Sequence, residues 1–154
     1  MLMILSFFIL LLNLPVTESL LVQYSKAAEK NVTEVLGAGE LKEFRIASHK
    51  EYYVFNSKNS NNGAYIVLSS AKGRYENFDY MIILNKSLEI VDIKILKYRS
   101  EFGYEISNKG WLKQFYSKPA TKFEYRKNID AVSGATFSAL AITNDINFII
   151  GELK

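Results

Sequence analysis

Residues 78–84 (FDYMIIL) and 88–98 (LEIVDIKILKY) form two apolar runs separated only by Asn85-Lys86-Ser87. The second run sets Ile90, Ile93 and Ile95 among Asp92, Lys94 and Lys97, in large part with a period of two. That period sends alternate side chains to opposite faces of a strand. A short polar break between two such runs is a hairpin signal. An antiparallel sheet with one covered face is the expected consequence. Residues 64–70 (AYIVLSS) read as another strand, and residues 71–74 (AKGR) as its connector. Residues 52–55 read as a short strand leading into the turn-rich loop 57–63 (SKNSNNG).

Helical signals flank this sheet. Between residues 27 and 48, Val32, Val35, Leu36 and Phe44 fall near helical spacing and Gly37 and Gly39 interrupt, which predicts a short helix and then a turn. Residues 99–110 are polar and carry Gly103 and Gly110, as a functional loop would. Residues 111–116 (WLKQFY) suggest a helical turn, stopped by Lys118-Pro119. Beyond residue 139, Ile142, Ile146, Ile149, Ile150 and Leu153 share one face of an amphipathic helix. The expected fold class is α+β, a single domain with an antiparallel sheet packed against helices.

The chain has 154 residues, room for one ordinary domain. Lys and Arg are scattered and the formal charge is only +3, which argues against a nucleic-acid partner. The absence of cysteine excludes disulfides, thiolate metal sites and Fe–S clusters. His49 is the one histidine and sits beside Lys50 and Glu51, so it reads as solvent-facing and no metal site is expected. Residues 1–14 (MLMILSFFILLLNL) are almost wholly apolar. Their length suits an export signal, or, counted through Leu20-Leu21-Val22, a membrane anchor; a buried core helix is the alternative. The expected organisation is residues 1–24 as signal peptide or anchor, 25–62 as an N-terminal helix and strand part, and 63–154 as the main domain. The rest of the chain is then extracytoplasmic and membrane-associated.

Chemistry concentrates at Asn128-Ile129-Asp130-Ala131-Val132-Ser133-Gly134-Ala135-Thr136-Phe137-Ser138. Gly134 and Ala135 remove side-chain bulk just before the Thr136 hydroxyl, where the C-terminal helix is expected to begin. Free N–H groups at a helix start favour an anion, so a phosphate could be brought onto that oxygen. Ser, Asp and Thr are also the usual N-cap residues, so a simply capped helix accounts for the same letters.

Residues 130–138 follow D-x-x-[ST]-G-A-T-x-[ST] at every specified position, and in this the chain resembles the FMN-binding domain family. Upstream support comes from residues 95–106 (ILKYRSEFGYEI) and 111–115 (WLKQF), which are similar to the family's hairpin, flavin-contacting loop and following helix. The resemblance runs from about Gly63 to the C-terminus. It includes the C subunit of the sodium-pumping NADH:quinone reductase and the G subunit of the Rnf electron-transport complex. The loop Ser100-Glu101-Phe102-Gly103 replaces a Glu-Thr-Pro-Gly type sequence of the quinone-reductase subunits, and in this it resembles the free-standing members.

The resemblance implies FMN joined to Thr136 through a phosphoester, installed after export by an FAD:protein FMN transferase. Asp130, Ser133, Gly134, Ala135 and Ser138 would then serve recognition and positioning, and Glu101 and Gly103 would belong to the flavin loop. Tyr98, Phe102, Tyr104 and Trp111 are the aromatics nearest in sequence to take the flavin ring. The implied function is an exported electron carrier working with a membrane redox partner. A flavin-dependent reductase of a small substrate and a non-redox module of the same fold are the alternatives. The chemistry is the cofactor's, so no catalytic residue is expected.

Overall fold

The computed structural model describes residues 19–47, 50–58, 63–118 and 122–154. The apolar segment 1–14 and His49 lie outside the described residues. In chain order the elements are helix α1 (Leu20–Leu36), strands β1 (Gly39–Ala47), β2 (Lys50–Ser57), β3 (Gly63–Lys72), β4 (Asn77–Asn85) and β5 (Ile90–Tyr98), the short helix α2 (Lys109–Leu112), and helix α3 (Thr136–Leu153). Turns of 3₁₀-helix flank α2 at Tyr104–Ser107 and Lys113–Phe115. The strands form one five-stranded antiparallel sheet in the order β1-β2-β3-β4-β5. The α+β class expected from the sequence is the class observed.

The β4–β5 hairpin closes where the sequence placed it. Asn85 Oδ1 accepts from the Ser87 and Glu89 backbone N–H groups at 2.9 Å each, an Asn-built turn that fixes the register of both strands.

The sheet is covered on both faces, which corrects the expectation of one covered face. Phe78, Tyr80, Ile82 and Leu84 point toward α3 and pack with Ile142, Ile146, Ile149 and Ile150. Met81 and Ile83 point the other way and pack with Tyr53, Phe55, Ile66, Leu68 and with Ala28 and Val32 of α1. A strand buried on both sides carries no polar alternation, hence the unbroken apolar run of β4. Its exception is Asp79, 2% exposed and paired with Arg99 at 2.5 Å, with Tyr24 of α1 donating to the same oxygen at 2.5 Å.

The expected turn after Gly37 is instead the edge strand β1, whose pairing with β2 is irregular between Glu43 and Arg45. The α1 helix also starts earlier than expected, at Leu20, and Leu20 and Leu21 pack against the core beneath it. The Glu51 carboxylate receives the backbone N–H groups of Leu20 and Leu21 at 2.5 and 2.9 Å, the Ser19 hydroxyl at 3.0 Å and the Tyr53 hydroxyl at 2.8 Å. Among the described residues no helix is long and apolar enough to cross a membrane.

Candidate functional site

Helix α3 begins at Thr136, and its N-cap is Ala135, so no side chain caps it. Asp130, Ser133 and Thr136 are all exposed, and no acidic residue lies in the first turn. The simple-cap explanation of the motif is thereby excluded. The first N–H groups of α3 are left without a side-chain partner at the end where the helix dipole is positive. Such an end stabilises an anion by about 0.3–1 kcal/mol beyond direct hydrogen bonds.

The motif loop is fixed from below. Trp111 donates its indole N–H to the Asp130 carbonyl at 2.8 Å, and the Asp130 N–H donates to Gln114 Oε1 at 2.8 Å. Asn108 Oδ1 caps the start of α2 by accepting from Gly110 and Trp111 N–H groups at 2.8 and 3.2 Å. Trp111 is 8% exposed and packs edge-on against Phe115. The structure thus places it beneath the motif, where it props the Asp130 backbone.

Three glycines bring the β3–β4 connector, the loop after β5 and the motif together. A Cβ on Gly103 would lie 2.4 Å from the Tyr98 hydroxyl and 2.8 Å from Ser138 Oγ, and its φ is +91°. A Cβ on Gly134, where φ is +82°, would lie 2.7 Å from a Glu105 carboxylate oxygen. On Gly73 it would meet the Glu76 carbonyl at 2.9 Å and Ser138 Oγ at 3.2 Å. Glycine is therefore required at 103 for conformation and for space, at 134 for conformation, and at 73 by the nearby Glu76 carbonyl.

Between these segments opens a cleft of about 310 Å³ lined by Arg74, Tyr75, Phe102, Phe137 and Ser138, with Thr136 and the small residues Gly103, Gly134 and Ala135. Its aromatic rings are exposed to an unusual degree: Phe102 65%, Phe137 56% and Tyr75 55%. Tyr75 and Phe102 stand 6.0 Å apart, ring to ring. The Arg74 guanidinium lies 5.2 Å from the centre of the Tyr75 ring and 5.2 Å from that of Phe137. Apolar rings left in water beside a cation and an unused helix start make a surface suited to a planar, phosphate-bearing ligand.

Of the sequence-selected residues, Thr136, Ser138, Gly103, Gly134, Ala135 and Phe102 line this cleft. Tyr98 stands behind it, stacked on Phe78 at 5.5 Å with its hydroxyl donating to the Phe102 carbonyl at 2.9 Å. Tyr104 is 63% exposed and touches Tyr98 edge-on from outside. The Asp130, Ser133 and Glu101 side chains face solvent outside the cleft.

Sequence reasoning missed Arg74, Tyr75 and Phe137. The first two sit in what looked like a plain connector, although Gly73-Arg74-Tyr75, a glycine, a cation and an aromatic in one tight turn, was a readable signal. Phe137 was seen only as a tolerated filler inside the motif.

Arg99 anchors the start of the loop, donating to the Asn77 carbonyl at 2.9 Å as well as pairing with Asp79. Burial pushes the Asp79 carboxyl up, but hydrogen bonds from Arg99, Tyr24 and Ser70 outweigh it and hold the group below the usual carboxylate value. A larger cavity of about 420 Å³ lies under α1 on the other sheet face, lined by Leu21, Ala28, Val32, Leu41, Phe55 and Ile66 among others, away from the motif. Among the described residues no cluster of His, Asp or Glu is placed to hold a metal.

An α+β domain that presents a hydroxyl, a cation and exposed rings around a helix start has the features of a flavin-nucleotide-binding domain. The profile of the FMN-binding domain matches residues 29–151, and the chain belongs to that family. Its cofactor is FMN, and its class of function is FMN-dependent electron transfer. The match begins well upstream of Gly63, and the second half of α1 together with β1 and β2 lies within it. No curated protein matches the chain.

Proposed function

We propose that this chain is an exported electron carrier whose FMN is joined to the Thr136 hydroxyl through a phosphoester. The reading rests on one observation above all. Thr136 is exposed at the first position of an uncapped helix and lines the cleft that holds the exposed rings. A phosphodiester there keeps one negative charge, which the helix start stabilises. When bound, the flavin supplies the one- and two-electron chemistry. The residues around it hold the phosphate and offer apolar contact to the ring.

The exposed Asp130 and Ser133, outside the cleft, are open to an FAD:protein FMN transferase during maturation. Outside the cytoplasm a tethered flavin has a clear use, because a lost one is not readily replaced. The N-terminal apolar segment supports that location, with a membrane redox partner on one side of the electron path.

The test is to co-express the full chain with an FAD:protein FMN transferase, denature it, and record intact mass and in-gel flavin fluorescence. The expected gain is one FMN less water, absent in Thr136→Ala. An unmodified wild-type chain would overturn covalent attachment. Turnover of small acceptors by the flavinylated chain alone would mark a reductase instead of a carrier.

A further inference from the structure

We infer that Arg74 holds the phosphate of the cofactor and that the Tyr75 and Phe137 rings fix its guanidinium for that contact. This rests on the flavin attachment proposed at Thr136. The guanidinium is flanked by the two rings at 5.2 Å each, and it shares the cleft with Thr136. Contact through its face leaves the N–H edge of an arginine free to meet an oxyanion with two parallel hydrogen bonds.

No carboxylate among the described residues pairs with Arg74. Its backbone position is set as well. The Gly73 N–H donates to the Glu76 carbonyl at 3.0 Å, and a Cβ on Gly73 would lie 2.9 Å from that carbonyl oxygen and 3.2 Å from Ser138 Oγ. The connector therefore carries an exposed cation that, among the described residues, has two ring partners and no carboxylate, and so is available to an anion in the cleft. A lysine at this position would keep the charge but lose the planar fork and the ring contact.

The experiment compares the flavinylated full-length wild type with Arg74→Lys and Arg74→Gln, each made with the transferase. It reads the ³¹P resonance of the diester and, in the wild type, the Arg74 Nε–H resonance against unmodified Thr136→Ala. The Nε–H resonance is expected to shift and its exchange to slow on flavinylation. The ³¹P resonance is expected to move in Arg74→Gln toward that of a free diester in solution, and part of the way in Arg74→Lys. Should Arg74→Gln fail to fold, the displacement in Arg74→Lys decides. A flavinylated variant with the wild-type ³¹P resonance overturns the role of Arg74 alone. An unmodified wild type overturns the attachment at Thr136 and this assignment with it.

Discussion

The hydroxyls of Tyr98 and Ser138 stand 2.6 Å apart where the end of β5 meets the first turn of α3. The Tyr98 O–H already donates to the Phe102 carbonyl, which can only accept, so Ser138 is the donor to Tyr98. One tyrosine oxygen thus ties the loop after β5 to the helix that carries Thr136.

Tyr98→Phe strips that oxygen out and leaves the Ser138 hydroxyl, 1% exposed, without its acceptor. A loss of about 1–3 kcal/mol is expected in urea unfolding, with faster amide exchange over residues 100–103. Wild-type exchange there would show that the loop is held by something else.

Gly103→Ala and Gly151→Ala should move in opposite directions. The first places a methyl 2.4 Å from the Tyr98 hydroxyl at a φ of +91°, and on conformation alone costs about 1–2 kcal/mol before any clash. The second has nothing within 4 Å and lies in α3, where alanine is favoured by up to about 1 kcal/mol. Denaturant midpoints check both, and equal midpoints would refute the close packing described.

Acid stability should carry the signature of Asp79. Its carboxyl is depressed in the folded chain, so the unfolded chain binds the proton first as pH falls. The stabilisation is present above the ordinary value of about 3.9 and is lost below it, through the lower folded value. Asp79→Asn should remove that acid-range slope. Its cost at neutral pH should fall below the roughly 3–5 kcal/mol of a fully buried pair, because the Arg99 side chain is 31% exposed. At the other extreme, burial and Asp79 push the Tyr24 phenol up to about 12, so its ionisation should appear late in an ultraviolet titration. A slope in Asp79→Asn like that of the wild type would mean that another carboxylate governs acid unfolding.

Trp111→Phe keeps most of the ring but removes the N–H that binds the Asp130 carbonyl. About 1 kcal/mol of stability should go, and flavinylation by limiting transferase should slow as the motif loop loosens. Unchanged flavinylation kinetics would separate the prop from the presentation of Thr136.

The hairpin and the apolar face of α3 were legible because each is a local pattern: a turn residue and a helical period. Strand β1 was not, since over residues 39–44 only Gly39 and Leu41 are even partly buried, too little to show a period. The start of α1 was masked by Leu20 and Leu21, which continue the apolar character of the leading segment although they pack against the sheet. The two-sided burial of β4 needed knowledge of α1, so it was out of reach as well. Gly73-Arg74-Tyr75 carried a local signal, but its link to the motif did not show until the fold brought Arg74 and Tyr75 into one cleft with Thr136 and Phe137, some sixty residues on in the chain.

Glu51 fastens the first turn of α1 near the start of β2, and the register carries that position along β3 toward the same end of the sheet as the Gly73–Arg74 connector. The first turn of α1 and the cleft lined by Thr136 therefore share one pole of the domain. Whatever approaches the exposed rings of the cleft also approaches the first turn of α1, while the turn between β4 and β5 lies at the far end of the strands.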